Sequence, residues 1–318
     1  MIRVAVIGGG QNCEHDVSLA SAAGVAAALA GFRDGTTYDV VRLTIGRDGS
    51  WHGPAGDIGL GAAVDELQAA DVVLPIVHGP LGEDGTLAAL CELAGTPYVG
   101  SPIGAGALAM DKWATKLVAE AVGVRTAPGL LVREAARMAT RSGTDRGVPC
   151  VVKPVAAGSS HGVSLVLEEA QLATALEAAF SVDSRVLVEG LVVGREIDIA
   201  VLERADGTRL VGPPLEIVTA GLFDTTTKYD GSADFRLPAP LTDVEHKELR
   251  DAAERIFDAL GCRGVARVDF FLTEAGWVLN EVNTMPGLTE QSQVPKMFAA
   301  IGLPYTVLLD ELIRGVLG

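Results

Sequence analysis

Three short runs of apolar, β-branched residues recur in the first eighty positions: Ile2 to Ile7, Tyr38 to Ile45 and Asp71 to Val77. Helical or glycine-rich stretches separate them, which is the βαβ rhythm of a parallel sheet. The spacing predicts a helix over Val17 to Ala30, with Val17, Ser21, Gly24 and Ala28 on one stripe small enough for close packing on that sheet. The Gly8-Gly9-Gly10 turn after the first run lacks the full G-x-G-x-x-G spacing, so a nicotinamide-type cofactor is not supported. A Gly100-Ser101-Pro102 step closes this unit, and a helical stretch containing Asp111-Lys112 follows.

From Gly129 the pattern changes. Val151-Val152-Lys153 reads as a strand, Gly158-Ser159-Ser160-His161-Gly162 as a flexible loop and Ser164 to Leu167 as a returning strand, a hairpin that holds its loop over something. Glu168 to Phe180 reads as helix, and Arg185 to Glu189 and Arg195 to Glu203 as strands. Asp206-Gly207 is a turn into a further strand, Arg209 to Val218. Residues 219–235 lack periodicity and read as a long functional loop. Thr242-Asp243 caps a helix ending at Gly261, and Pro304 to Leu317 closes the chain as an amphipathic helix. The 318 residues suit two or three modules, with the last one largely antiparallel.

The formal charge of −16 opposes general attraction to nucleic acid or anionic lipid, so neither is expected as a partner. Apolar runs such as Ala22 to Ala30 fall short of the roughly 18 to 20 residues that span a bilayer. The chain enters its first strand-like run directly, without a cleavable leader pattern, which suits a cytoplasmic protein. Cys13, Cys91, Cys150 and Cys262 show no C-x-x-C spacing and read as reduced thiols in packing or loop roles.

Two segments near the C-terminus carry chemistry. In Val265 to Leu272, alternation puts Arg267 and Asp269 on one face, and in Trp277 to Asn283 it puts Glu281 and Asn283 on one face. A three-residue loop Glu274-Ala275-Gly276 pairs Thr273 with Trp277 and sets Asp269 opposite Glu281. Facing carboxylates repel unless a divalent cation takes their oxygens. With Asn283 they form a hard oxygen set suited to magnesium shared with phosphate. Solvated acids at a wet sheet edge are the equal alternative from these residues alone. Lys153 precedes the glycine-rich loop, whose backbone N–H groups could wrap phosphate while the lysine supplies charge. Lys112 and Lys228 flank other candidate segments.

The ordered combination resembles the D-alanine-D-alanine ligases of the ATP-grasp superfamily over essentially the whole chain. It comprises Glu14-His15-Asp16-Val17-Ser18, His78-Gly79, Gly82-Glu83-Asp84-Gly85, Ala109-Met110-Asp111-Lys112, Val152-Lys153-Pro154, Gly158-Ser159-Ser160, Gly194-Arg195-Glu196, Lys228-Tyr229, Ala266-Arg267-Val268-Asp269, Asn280-Glu281-Val282-Asn283-Thr284 and Pro286-Gly287. The resemblance implies an α/β protein, α+β overall, with an ATP-grasp fold. Its parts are an N-terminal Rossmann-like parallel-sheet domain (1–100), a small central domain (101–188) and a mainly antiparallel C-terminal domain (189–318).

The implied activity activates one D-alanine with ATP as an acyl phosphate and couples it to a second D-alanine, giving a peptidoglycan precursor. Glu14 would bind the first ammonium, and Ser159 and Tyr229 would join it in a hydrogen-bonded triad that closes loops over the site. Arg267 and the backbone N–H of Gly287 would stabilise the oxyanion. Lys112, Lys153 and Lys228 would neutralise phosphates and Ser160 would belong to the phosphate loop. Glu189 and Leu191 would hold adenine, and Glu196 ribose. Asp269, Glu281 and Asn283 would hold two Mg2+ or Mn2+ ions. His78 would lie near the first amino-acid pocket, with a loop-ordering hydrogen bond as its structural alternative. Ser292 would contact the second carboxylate. The resemblance also implies a homodimer.

The departures are His161-Gly162 in place of Val-Gly, Thr226 in place of Glu, and Gln293 where the family carries an apolar residue against the acceptor side chain. Gln293 should therefore point to solvent or meet a polar group on the acceptor, since an amide without a partner in a closed pocket costs about 1 to 3 kcal/mol. It supports the alternative of a paralogue with another acceptor in specialised metabolism. A catalytically idle nucleotide-binding or scaffold protein on the same fold is the third reading.

Overall fold

The computed structural model describes residues 1–32, 35–133, 147–218 and 234–318. Strand β1 (Ile2–Gly9), helix α1 (His15–Gly31), strands β2 (Tyr38–Ile45), β3 (Trp51–Gly53) and β4 (Gly56–Asp57), helix α2 (Gly59–Gln68) and strand β5 (Val72–Pro75) come first. Their sheet has the order β4-β3-β2-β1-β5. β1 runs parallel to β2 and β5, as the βαβ rhythm requires, and β3 and β4 extend the edge antiparallel. Helix α1 buries His15, Ser18, Ser21, Ala22, Val25, Ala26 and Leu29. Of the stripe expected from sequence only Ser21 is buried; Val17, Gly24 and Ala28 are half-buried. Alanines surround this helix, so its pattern did not define a face.

Helices α3 (Thr86–Ala94), α4 (Ile103–Met110) and α5 (Lys112–Ala121) follow. α4 and α5 are separate because Asp111 leaves the helical region (φ −80°, ψ 95°) and accepts the Ala114 N–H at 2.9 Å as the N-cap of α5. A second sheet comprises β6 (Gly129–Arg133), β7 (Cys150–Pro154) and β8 (Ser164–Val166), then helix α6 (Leu172–Phe180) and strand β9 (Arg185–Gly190). Its order is β6-β9-β7-β8, antiparallel throughout, and α6 lays Leu172, Ala175, Leu176 and Ala179 into its core.

The third sheet contains β10 (Arg195–Glu203), β11 (Arg209–Val211), β12 (Leu215–Val218) and β13 (Asp234–Arg236), and after helix α7 (Asp243–Leu260), β14 (Val265–Thr273) and β15 (Gly276–Asn283). Helices α8 (Gln293–Ala300) and α9 (Tyr305–Leu317) close the chain. The order is β13-β12-β10-β14-β15, with β11 on β10. The single strand expected over 209–218 is two, because Pro213 and Pro214 cannot donate to a ladder. The expected loop over 219–235 ends earlier, since Asp234 begins β13; residues 219–233 lie outside the described residues. Helix α7 starts on a capping box of Thr242 and Glu245 and stops at Gly261 (φ 73°), as its sequence signals require.

Alternation along β10 divides the third sheet. Ile197, Ile199 and Val201 face α7, whose Ala253, Ile256 and Phe257 cover them. Ala200 and Leu202 join a second core with Val4, Val72 and Leu74 of the first sheet, Phe298 of α8, and Leu308 and Leu312 of α9. The two C-terminal helices thus cement the first sheet to the third and bring the loops after β1 and β5 against the end of β15.

Candidate functional site

Two cavities meet between the sheets. The first, about 440 Å³, lies among Glu14, His78, Ser159, Arg267, Asn283, Gly287, Ser292 and Gln293. The second, about 580 Å³, lies between the second and third sheets and is lined by Lys153, Ser160, Glu189, Leu191 and Glu196. Both volumes suit small-molecule ligands. They share Lys112, Ala157 and Glu281, so a group passing between occupants of the two spaces crosses at the Lys112–Glu281 pair.

Glu14 directly precedes α1 and is buried. Its Oε1 accepts from Ser159 Oγ at 2.5 Å, joining the first loop to the glycine-rich loop. Its Oε2 is buried and has no hydrogen-bond partner among the described residues. Two glycines make room for the carboxylate. A Cβ at Gly79 would lie 2.6 Å, and one at Gly158 1.9 Å, from Oε2. Ser159 and Ser160 both adopt left-handed backbone (φ 49° and 57°), which costs a non-glycine residue about 1 to 2 kcal/mol.

His78 follows β5. Its Nδ1 lies 2.8 Å from the Met285 carbonyl and its Nε2 3.0 Å from Ser21 Oγ. A carbonyl only accepts, so Nδ1 carries the hydrogen. Burial lowers the His78 pKa more than Glu14 and the Met285 contact raise it; the ring is neutral and Nε2 accepts from Ser21. Both nitrogens are used within the protein, the loop-ordering role weighed as its alternative, although the ring still lines the first cavity.

Glu83, quoted in a motif but given no role from sequence, lines the same cavity. Its carboxylate accepts from Gly79 N at 3.0 Å and Met285 N at 3.1 Å. Burial, then the charge of Glu14, push its pKa up to about 8 against the pull of those two donors.

The register of β14 and β15 sets Asp269 opposite Glu281 and Arg267 opposite Asn283. The hairpin does not have the expected loop. Thr273 pairs with Gly276 rather than Trp277, and an irregularity between Asp269 and Phe270 absorbs one residue of β15, restoring the inferred pairing. Asp269 is 3% exposed and lines neither cavity; it lies behind Arg267, which grips it through Nε and Nη2, each at 2.7 Å. Asn283 Nδ2 donates to Asp269 Oδ2 at 3.0 Å. Lys112 Nζ is 3.4 Å from Glu281 and donates to the Ala157 carbonyl at 2.7 Å. Burial opposes the charge on Arg267, but Asp269, Asp198 and Glu281 hold its pKa well above the ordinary range.

In the second cavity Glu189 is bound by two lysines: Lys153 at 2.5 Å, and Lys116 of α5, which also donates to the Ala127 carbonyl. Burial raises the Glu189 pKa, but the lysines outweigh it and keep the carboxylate ionised below its usual range. Lys116 was missed from sequence. Its signal was position: it lies four residues after Lys112 on one helix, and burial depresses its pKa. Asp198 was missed too, a lone acid in the apolar run Ile197 to Ala200 that is 1% exposed.

Gln293 Oε1 accepts from Arg267 Nη1 at 2.7 Å and its Nε2 donates to Asp198 Oδ2 at 2.9 Å, so both ends of the half-buried amide have partners within the protein, while the side chain also lines the first cavity. Ser292 Oγ accepts from Thr289 N at 3.1 Å within a local turn on the cavity wall. Lys228 and Tyr229 lie outside the described residues.

Family models described as "D-ala D-ala ligase N-terminus" and "D-ala D-ala ligase C-terminus" match residues 55–101 and 119–314. The D-alanine–D-alanine ligase of Mycolicibacterium vanbaalenii is 40% identical, with 98% of this chain and 96% of that protein covered. Among solved structures, the VanG D-Ala:D-Ser ligase of Enterococcus faecalis is 33% identical with a TM-score of 0.86, covering 100% of this chain and 99% of that one. The D-alanine-D-alanine ligase of Coxiella burnetii is 30% identical with a TM-score of 0.81, covering 99% and 94%. The sheets and helices described above are therefore the ATP-grasp fold. The chain belongs to the D-alanine–D-alanine ligase family.

Proposed function

We propose that this protein joins two D-alanines at the expense of ATP, supplying D-alanyl-D-alanine for peptidoglycan precursors in the cytoplasm. The observation that carries the reading is the meeting of a nucleotide-sized cavity and an amino-acid-sized cavity at Lys112 and Glu281. ATP in the second cavity would place its γ-phosphate at that junction, beside the donor carboxylate in the first. A donor carboxylate oxygen takes the γ-phosphoryl group, releasing ADP; the acceptor's amine then attacks the acyl carbon and phosphate leaves.

The residues divide between these tasks. Glu14 takes the donor ammonium on Oε2, which has no partner among the described residues, with His78 on the wall of the same cavity and Ser159 fixing Oε1. Lys112 and Lys153 neutralise phosphate oxygens, Ser160 belongs to the phosphate loop, and Glu189, Leu191 and Glu196 hold adenosine. Lys228 is assigned to phosphate, and Tyr229 to the triad with Glu14 and Ser159, on family likeness. Arg267 and the Gly287 N–H face the tetrahedral oxyanion, where preorganised donors are worth most. Ser292 belongs to the acceptor side of the first cavity, whose wall Gln293 also lines.

The donor set fits a divalent metal. Among the described residues no three His, Cys, Asp or Glu side chains come together as a metal site. Two opposed carboxylates and the Asn283 oxygen supply part of an oxygen shell, which suits Mg2+ that completes it with phosphate and water. Asp269, Glu281 and Asn283 would hold the metal, two ions in this reading, which supply charge neutralisation for phosphoryl transfer. We further propose domains at 1–100, 101–188 and 189–318, and a homodimer. Phosphate release measured against amino acids singly and in pairs tests the function: release should need D-alanine, and a panel without turnover on any D-amino acid would refute it.

A further inference from the structure

Arg267 depends on Asp269 for two of its bonds, and Asp269 is also the buried carboxylate opposite Glu281. A metal drawing on Asp269 therefore competes with the guanidinium for the same oxygens. Two other groups hold Arg267 and belong to no metal set. Gln293, the first residue of α8, accepts from Nη1 at 2.7 Å, and Asp198 Oδ2 on β10 lies 3.5 Å from Nε. Gln293 and Asp198 are themselves joined at 2.9 Å.

The amide has one workable orientation. Turning it over would set an NH2 group against the guanidinium and a carbonyl against the Asp198 carboxylate, donor on donor and acceptor on acceptor. An apolar side chain at 293 could make neither bond. Asp198 is also the register partner of Asp269, so β10 and β14 place two carboxylates side by side beneath one guanidinium. Opposed like charges are destabilising by themselves; Arg267 and the Gln293 amide offset that here.

We propose that Gln293 and Asp198 are positioning residues that keep Arg267 at the oxyanion site while metal takes up Asp269. The inference rests on the ligase reading. The Gln293 amide is spent inside the protein, so it does not choose the acceptor. Its effect passes through Arg267, a group that acts on the reacting carbon, and so falls on kcat rather than on recognition of either substrate.

Two variants test it: Gln293→Leu and the double variant Asp198→Leu/Gln293→Leu. The single variant leaves Asp198 without its amide donor and loses thermal stability; the double leaves no orphaned charge and melts closer to wild type. Both should lose kcat about tenfold or more, with KM for ATP and the preference for D-alanine over D-serine unchanged. A double variant that regains wild-type kcat along with its stability would reduce the pair to a packing role. A shift in acceptor preference at unchanged kcat would make Gln293 a wall of the acceptor pocket. Mn2+ titrated in the presence of ADP and followed by electron paramagnetic resonance gives a readout independent of ligation. Arg267 left leaning on Asp269 alone in the double variant should weaken Mn2+ binding there about threefold or more, and less in the single variant, which keeps Asp198; unchanged binding in the double variant would overturn the inference. Wild type making no dipeptide would sink the ligase reading, while the Mn2+ titration would still decide this one.

Discussion

Adding one methyl group at Gly158 should strongly weaken use of the donor D-alanine. The new Cβ would lie 1.9 Å from Glu14 Oε2, 2.6 Å from Cδ and 3.1 Å from Oε1, where ordinary contact begins at 3.4 Å. Oε2 must therefore retreat by about 1.5 Å, or the loop that carries the new methyl must move. Either the glycine-rich loop lifts or the carboxylate swings and breaks its bond to Ser159. Overpacking of this kind costs about 1 to 3 kcal/mol. A displacement of about 1 Å in a positioned group costs about 100-fold, or roughly 2.7 kcal/mol. Gly158→Ala should thus lose about 100-fold or more in kcat/KM for D-alanine. ATP affinity should be kept where the carboxylate swings, since Gly158 lines only the first cavity, and should fall where the loop lifts, since that loop carries Ser160. Coupled phosphate-release kinetics and fluorescent-nucleotide titration measure the two. Turnover within threefold of wild type would refute the placement of Glu14 as the ammonium site.

Glu281→Gln removes one of the opposed carboxylates and one metal ligand; apo stability should hold or rise, offset in part by loss of the partly exposed pair with Lys112, while turnover at saturating Mg2+ collapses. Full turnover would overturn the metal assignment. Lys116→Met leaves the buried Glu189–Lys153 pair neutral and ties Lys153 more closely to Glu189, so KM for ATP should rise about tenfold with a loss of about 1 to 2 kcal/mol in stability; calorimetric titration with ATP checks it. His78, held neutral in the fold, gains its proton more readily when unfolded, so stability should fall as pH drops below 6.5. Glu83, with its pKa raised from 4.5 to about 8, binds its proton more tightly in the fold, so its contribution is full below pH 4.5 and lost as pH rises through about 8. Urea denaturation from pH 5 to 9 should show both limbs, with the acid limb absent in His78→Gln.

The parallel strands of the first unit were legible because they write continuous apolar runs, and the cap and stop of α7 because Thr242 and Gly261 act locally. The pairing of Asp269 with Glu281 was right for a compensated reason: the turn is one residue tighter than expected, and an irregularity beyond Asp269 returns the residue. Alternation fixes which face a side chain occupies, but a bulge is invisible to it. The face of α1 was illegible because small residues ring the helix. Glu83, Lys116 and Asp198 carry only weak local signals: a motif position, a helical spacing from Lys112 and a lone acid in an apolar run. Each becomes functional-looking only when distant segments meet, Met285 on Glu83, Glu189 on Lys116 and Gln293 on Asp198. Gln293 stood out in the sequence, but its partners lie 26 and 95 residues away and were not legible there.

The central claim is that a donor carboxylate oxygen attacks the γ-phosphate across the Lys112–Glu281 junction. D-Alanine labelled with 18O in its carboxylate, incubated with ATP and Mg2+, tests this directly by mass spectrometry of the released phosphate. The account predicts one labelled oxygen in inorganic phosphate for each dipeptide formed. Dipeptide accompanied by unlabelled phosphate would contradict it.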